Sequence, residues 1–507
     1  MLQFDQDMLS SDRQSQPLPS LLTGLRLNQA SRSDCVNHAA IDNLPVELLS
    51  QIFLELLADL PMSVPFDCQQ LWQLGHVSAF WRSVVHSNMS LAWSNIKVNF
   101  RPSSRAASLG QTSAEVLRIC LERSRDCPLT IAFTCASNAG ENDWLPCWDL
   151  LMGVCDRWRI IDFFIPITVL SKFAPVKGRI PALETLYLSL EPQNAHSLPH
   201  PVDVFEEAPK LCSVIMSSHL SMQSFRLPWK QITSYRTQRM EVEDCIKVLR
   251  LAPLLHSLCV RLDATTRSHI RAEPPAADTC DYSLKPLTSL TGVSLNGLMR
   301  PGSEHVLFQR LLMLSGPSEI LFPSVMELRL VVSPGSLSNF VTPPFATSCF
   351  SSALTKLTIR GVFDASEDYA GAREFLANLP SVQKLSFGVC FHHDREVVNT
   401  LYNILLIPPS SDRDVVLPKL EELMLEIDYG DVDGPIVPMW ALKPMRNMLK
   451  SRRRTMESAH LKHSRPIPAQ LQKFHLSLSS WNASSLSGWL VDVLEDLGKE
   501  GLELRVS

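Results

Sequence analysis

The stretch IDNLPVELLSQIFLELLADLPMSVPFDCQQLWQLGHVSAFWRSVVHSNMSLAWSNI, Ile41 to Ile96, is where helix-start signals, apolar spacing and aromatic placement coincide. Asp42 or Asn43 can cap a helix, and Pro45 suits its first turn, where the missing N–H costs nothing. From there Leu48, Ile52 and Leu56 form one row at four-residue spacing and Leu49, Phe53 and Leu57 the adjacent row, with Glu47, Ser50, Gln51 and Glu55 on the other side. The helix should end at Leu60-Pro61. A second apolar set, Leu71, Trp72, Leu74, Val77, Phe80, Trp81, Val84 and Val85, recurs at three- and four-residue steps and predicts further short helices. So short a segment buries too little surface to offset its own ordering entropy, so something else should complete its core.

Downstream, Ile96, Val98 and Phe100 alternate with Lys97 and Asn99, as in a half-buried strand. A Ser-rich linker, Arg101 to Thr112, precedes a helix expected over Ser113 to Arg125 and a strand at Leu129 to Phe133. A helix near Trp148 to Cys155 then leads into the apolar run Trp158 to Ile165. From there one fragment recurs: a Pro or small residue, an apolar residue, two variable residues, an apolar residue, one variable residue and a third apolar residue. Its copies place Leu183, Leu186 and Leu188 in the three apolar slots, then Leu211, Val214 and Met216, then Leu255, Leu258 and Val260, then Leu290, Val293 and Leu295. The pattern returns at Val325, Leu328 and Leu330; Leu354, Leu357 and Ile359; Val382, Leu385 and Phe387; Leu420, Leu423 and Leu425; and Leu471, Phe474 and Leu476. Each copy predicts one short strand, and helical stretches such as Val242 to Leu251, His305 to Leu314, Ala370 to Leu379, Arg395 to Leu406 and Leu486 to Leu497 lie between copies.

A chain of 507 residues with 45% hydrophobic and 20% charged residues belongs with folded proteins rather than disordered, fibrous or coiled-coil ones. Its formal net charge of -5 offers no general attraction to nucleic acid or anionic membranes. Thirteen scattered cysteines fit a reducing compartment, cytoplasmic or nuclear, and are expected to be reduced and mostly buried. The opening residues, 1–40, have no lasting period and are expected to be disordered; they lack a secretory leader, and the most apolar later run is interrupted by Arg159, Asp162 and Pro166. The sequons at Asn88 and Asn482 then carry no expected glycan.

The helical stretch resembles the F-box motif at Leu44-Pro45 with Glu47, at Ile52-Phe53, at Val77-Ser78, at Phe80-Trp81-Arg82, at Val84 and at Trp93. It departs from the motif in the loop Pro61 to Asp67, which is longer than the compact version and carries two prolines. In that family the helices dock on a Skp-type adaptor, which joins a cullin ubiquitin ligase. The resemblance implies that Leu44, Pro45, Leu48, Ile52, Phe53, Val77, Trp81 and Val84 supply the adaptor contact, and that the chain is a non-catalytic receptor for a target protein, with no cofactor. The recurring strand-and-helix unit resembles the leucine-rich repeat, which implies a solenoid with one continuous core. The Asn or Cys that usually follows the third apolar residue is replaced by Glu191, Ser333 and Asp428, so an irregular, curved array without an asparagine ladder is expected.

The fold class expected is α/β: an N-terminal all-helical F-box over 41–96, a linker with the first strand and helix over 97–125, and an irregular leucine-rich-repeat-like solenoid over 126–507, with one short parallel strand plus one helix per unit. A second reading stays open, in which the helices cap the solenoid and the protein is a repeat scaffold without a ligase. Signatures of enzymes and metal sites are missing: there is no phosphate-binding glycine loop and no zinc-protease helix, Gly292 to Gly297 is one residue too long for a serine elbow, and Cys127, Cys135, Cys147 and Cys155 are too widely spaced for a zinc knuckle. His392-His393 lack a third ligand. The basic run Lys450 to Arg454 reads either as a solvated insertion or as a nuclear-import or RNA contact. On a solenoid the residue between the last two apolar slots faces outward, which places Tyr187, Cys259, Ser294, Arg329, Thr358, Ser386, Met424 and His475 in one row. That row is either the target-binding face or an ordinary solvated sheet, basic around Lys356, Arg360 and Lys384 and acidic around Glu421, Glu422 and Glu426.

Overall fold

A computed structural model describes residues 44–57, 62–64, 69–100, 110–191, 200–217, 222–262, 286–296, 307, 322–332, 353–361, 369–390, 401–407, 415–428, 439–453, 468–479, 495–499 and 501–506. The expectations for residues 1–40, for the linker over 101–109, for His392-His393, for Asn482 and for most of 305–314 and 486–494 lie outside them. The chain divides into two units, one holding the helices between Val46 and Ser87 and the other holding the sheet.

The helical unit contains α1 (Val46–Leu57), α2 (Gln69–Val77) and α3 (Ala79–Ser87). Pro45 precedes α1, and its carbonyl accepts from Leu49 N–H at 3.1 Å, so it closes the first turn without needing an N–H of its own. Ser78 separates α2 from α3 as an N-cap, accepting from Trp81 N–H at 3.1 Å. Leu49 and Phe53 turn inward, and the Phe53 and Trp81 rings meet with centroids 4.7 Å apart. The Arg82 side chain ties the two later helices by donating from Nε to the Gly75 carbonyl at 2.9 Å.

In the second unit the described residues include fifteen strands in one sheet, ordered β1 to β15 as in the chain, and every neighbouring pair is parallel. Sequential order with parallel pairing means that each unit lays one strand beside the last and returns through a crossover, the arrangement of a repeat solenoid. The strands are β1 (Met62–Val64), β2 (Asn95–Phe100), β3 (Leu129–Cys135), β4 (Trp158–Ile165), β5 (Thr185–Leu190), β6 (Ser213–Ser217), β7 (Ser234–Met240) and β8 (Ser257–Leu262). They continue as β9 (Gly292–Asn296), β10 (Glu327–Val332), β11 (Lys356–Gly361), β12 (Lys384–Cys390), β13 (Glu422–Asp428), β14 (Lys473–Ser479) and β15 (Glu503–Val506).

The apolar slots of the repeat become the core. Leu183, Leu211, Leu255, Leu290, Val325, Leu354, Val382, Leu420 and Leu471, the first slot of each copy, are all buried. The second slot aligns across strands, as in Leu328 beside Leu357, Leu385 beside Leu423 and Leu423 beside Phe474. At ~1.5–3 kcal/mol for each fully buried aliphatic or aromatic side chain, these stacked rows are the main force holding one unit on the next.

The array begins earlier than its first clear copy at Pro181. Ile96, Ile131, Ile161 and Leu186 are partners in register, as are Val98, Phe133, Phe163 and Leu188, so β2 to β4 continue the same two rows. The sheet therefore includes segments placed in the helical motif and in the linker, and Met62–Val64, within the long loop, is its first strand. β7 belongs to the same array in disguise: Ile232, Tyr235 and Thr237 fill its three slots, a tyrosine and a threonine hiding the pattern, and all three are buried.

The crossovers differ from the expectation of one helix per unit. Besides the single turn Ser90–Trp93 (α4) before β2, helices lie behind several strands: Gly110–Arg123 (α5) before β3, Glu141–Gly153 (α6) before β4, Val242–Leu251 (α7) before β8, Tyr369–Ala377 (α8) before β12 and Met439–Arg453 (α9) before β14. Between β4 and β5 the chain instead forms a 3-10 segment, Ile167–Val176, and between β6 and β7 two short 3-10 turns. Pro166, Pro175, Pro181, Pro209 and Pro228 in this region remove the N–H groups that α-helices need. Around β3 and β4 aromatic rings replace leucines in the core. Trp148 meets Phe133 at 5.2 Å and Phe173 at 4.9 Å, and Phe173 meets Phe205 at 5.7 Å. Burial of Trp144 and Cys147 explains why α6 starts at Glu141, ahead of Pro146, and not at Trp148.

Candidate functional sites

Two surfaces have the residues expected to contact partners, one in each unit. On α1 the outer row stands in solvent: Leu48 is 50% exposed, Ile52 47% and Leu56 63%, with Val77 at the end of α2 61% exposed. Leu44, Leu48, Gln51, Ile52, Glu55 and Leu56 line a shallow depression along the helix. The eight residues expected at an adaptor contact separate by burial. Pro45, Leu48, Ile52 and Val77 are exposed, and Leu44 and Trp81 are half-buried. Phe53 and Val84 are buried at 1% and 2% exposure, so here they hold the protein's own core instead of a surface. The reason is geometric: Ile52 and Phe53 are neighbours in sequence but about 100° apart around a helix, so a pair read together from sequence is split between surface and interior. Leu56, absent from the expected set, belongs to the exposed row through its four-residue step from Ile52.

On the sheet, the outward residues align as expected. Tyr187, Ile215, Arg236, Cys259, Ser294, Arg329, Thr358, Ser386, Met424, His475 and Arg505 are successive partners across β5 to β15. Tyr187 and Arg236 are exposed, most of the others are half-buried, and Thr358 is buried, which removes it from the accessible face.

The charges do not form the basic and acidic sectors expected. Glu327, Lys356, Lys384, Glu422, Lys473 and Glu503 form a second register row, and the acids and bases pair across strands: Lys356 with Glu327 at 2.7 Å, Lys384 with Glu422 at 2.9 Å and Lys473 with Glu503 at 3.5 Å. At four of the five steps along this row, pairing in register sets opposite charges on adjacent strands, Lys356 beside Lys384 being the exception, and the linear sequence cannot show this. A longer bridge spans two strands, where Arg360 of β11 donates to Glu426 of β13 at 2.6 Å across Gly388 of β12. A Cβ at Gly388 would lie 2.8 Å from Arg360 Cγ, so the glycine clears the path of the arginine.

The basic run is not a solvated insertion. Lys450 to Arg453 end α9, and Arg452 is buried, donating from Nε to the Leu405 carbonyl at 2.7 Å, from Nη1 to Leu417 at 2.9 Å and from Nη2 to Val416 at 2.6 Å. Burial pulls its pKa down to about 10. Arg453 donates to the Leu471 carbonyl at 3.1 Å, so two of the run's guanidinium groups are used inside the fold.

The cysteines weighed as metal ligands are separate thiols. Cys135, Cys147 and Cys155 are buried, and Cys127 lies 3.3 Å from Ser90 Oγ. Burial pushes the Cys135 and Cys147 thiols up to about 12, Glu191 adding to the effect at Cys135. Among the described residues, no His, Cys, Asp and Glu groups of three or more stand close enough to hold a metal, and no helix is long and apolar enough to cross a membrane.

No family model and no curated protein sequence matches the chain. Solved structures similar to it include the leucine-rich repeat-containing protein LegL7 from Legionella pneumophila, at 15% identity, with 62% of this chain and 98% of that one covered and a TM-score of 0.28. Another is a TLR13–ssRNA13 complex, at 14% identity, with 65% of this chain and 50% of that one covered and a TM-score of 0.25.

Proposed function

We propose that the protein is the substrate-receptor subunit of a Skp, cullin, F-box ubiquitin ligase. The outer row of α1 docks a Skp-type adaptor, the outward face of the sheet holds a target protein, and the chain contributes no bond chemistry and no cofactor. The cullin core is reached through the adaptor; neither nucleic acid nor membrane is a partner in this reading, and the compartment is cytoplasmic, nuclear or both.

The observation that carries the reading is the exposure of Leu48, Ile52, Leu56 and Val77 beside an interior already filled by Leu49 and Phe53. A docking helix keeps its apolar row in solvent until the partner arrives. Covering the remaining half of each such side chain yields about 1 kcal/mol apiece before association costs, so several must act together. The F-box resemblance at Leu44-Pro45, Val77-Ser78 and Phe80-Trp81-Arg82 specifies the partner.

The test is capture of a Skp-type adaptor by the intact chain and by Leu48→Asp and Ile52→Asp variants, with folding checked by circular dichroism. Capture by the intact chain and loss in the folded variants is expected. A folded intact chain that captures no adaptor would overturn the proposal in favour of a repeat scaffold.

A further inference from the structure

Among the described outward positions of β2 to β6, the charged side chains are Lys97 and Asp162. Asp162 lies in the row that runs through Lys97, Ala132, Asp162, Tyr187, Ile215 and Arg236 on successive strands. Along its own strand Ile160 and Phe164 stand on the same side, two residues before and two after it. Asp162 and Tyr187 are exposed, while Ala132, Ile160, Phe164 and Ile215 are half-buried, so a carboxylate that solvent can reach sits in an apolar and aromatic frame. Among the described residues this carboxylate has no hydrogen-bond donor and no close ion-pair partner. Crowding by the frame raises its pKa, and Lys97, two strands and about 10 Å away, opposes the rise. Acids further along the same face are each paired, Glu327 with Lys356, Glu422 with Lys384, Glu426 with Arg360 and Glu503 with Lys473. Of these acids, Asp162 is the one without a cation beside it.

We infer that Asp162 and Tyr187 receive the arginine side chain of an extended polypeptide segment, whose residues two before and two after that arginine are apolar and rest on Ile160 and Phe164. The inference rests on the sheet face being the target-binding surface, and it adds the chemistry of the target. A carboxylate in a partly desolvated frame is costly to leave unpaired, and a guanidinium offers it two parallel donors. The Tyr187 ring occupies the adjacent position of the row and gives the flat guanidinium a surface to stack on, which an ammonium uses less well. The spacing follows from the strand. Side chains on one side of an extended segment recur every two residues, about 6.6 Å apart, and Ile160, Asp162 and Phe164 recur on β4 in the same way. A segment lying along β4 at the ~10 Å separation of stacked sheets therefore sets alternate side chains over all three and turns only the intervening ones away. One arginine is specified and not a basic run, because Lys97 and Arg236 end the row on either side and repel further cations.

The experiment is fluorescence anisotropy on the intact chain without adaptor, using labelled nine-residue peptides of otherwise uncharged, polar sequence. Each has a central arginine, lysine or glutamine with a leucine two residues away on either side, and a fourth peptide keeps the arginine but has serines in place of the leucines. The arginine peptide with leucines should bind at least tenfold more tightly than the glutamine peptide, more tightly than the other two, and less tightly as salt is added. Asp162→Asn, checked for folding by circular dichroism, should remove the advantage over glutamine. Tyr187→Ala should reduce it, and Glu495→Gln, an exposed acid elsewhere, should leave it unchanged. No binding by any peptide, equal binding of the arginine and glutamine peptides, or an arginine advantage that survives Asp162→Asn would overturn the inference. So would lysine or serine-flanked peptides that bind as tightly as the arginine peptide with leucines. Adaptor capture measured on the same preparations separates the two ideas: capture without arginine preference sinks only the Asp162 site, and arginine preference without capture sinks only the ligase assignment.

Discussion

Replacing Arg452 by Met tests how the C-terminal repeats are held together. The methionine keeps an apolar stem of similar length but removes the donors that reach the carbonyls of Leu405, Val416 and Leu417. Leu405 is the last residue of a helix described over 401–405, and a helix's last carbonyls have no partner within it, while Leu417 holds a left-handed φ of 50°. Three buried carbonyls left unpaired cost ~1–3 kcal/mol each. Removing a buried cation returns part of that, since its depressed pKa reflects a desolvation cost of a few kcal/mol. The balance is a destabilisation of about 3 kcal/mol. In urea, the transition that includes the C-terminal repeats should move down by about 1 M or more, given slopes of ~1–3 kcal/mol per M. Limited proteolysis should open the segment around 405–417 first. Arg453→Met, which removes the bond to Leu471, should cost about 1 kcal/mol. An Arg452→Met protein with the parent's urea midpoint would refute the argument, because the three carbonyls would then be satisfied without it.

Phe53→Ala should destabilise the helical unit by ~3–5 kcal/mol and lower its helical signal, whereas Ile52→Asp should leave the signal unchanged; equal effects on circular dichroism would contradict the assignment of inner and outer rows. Gly388→Ala should displace Arg360 and cost ~1–3 kcal/mol, and the cost should shrink in an Arg360→Ala background; a double-mutant cycle with no coupling would refute the crossing geometry. Burial pushes the Cys135, Cys147 and Cys245 thiols up to about 12, so at pH 8 only ~1 in 10,000 of each is thiolate. Peptide mapping after treatment with a thiol reagent should find them unlabelled until urea is added. These thiols also set a pH response. Between the ordinary value of 9.0 and about 12 the unfolded thiols lose protons that the folded ones keep, so stability should fall as pH rises through that window; a flat urea midpoint from pH 8 to 11 would speak against it.

The repeat was legible because burial in a parallel strand needs only apolar side chains at fixed offsets, and every clear copy from Leu183 to Leu476 became a strand. What escaped was local disguise. β7 carries Tyr235 and Thr237 where leucines were sought, and the prolines around β5 to β7 replaced helices with 3-10 turns. The helical face was half legible: spacing placed Leu48 and Ile52 in one row and Phe53 in the next, but the motif grouped them as one contact.

By itself the sequence determined the position and direction of the strands, the apolar rows of the core and the outward row from Tyr187 to His475, since each depends on the local period of a strand or helix. The tertiary structure decided what sequence distance conceals. Register set Lys356 beside Glu327, and Lys384 beside Glu422. It also carried Arg360 across Gly388 to Glu426. Packing of α9 turned Arg452, read as part of a charged run, into a buried clamp on carbonyls from two earlier segments. The physical reason is that periodicity reports which side of an element is apolar, whereas charge pairing and carbonyl satisfaction depend on which residues meet after the chain has crossed over.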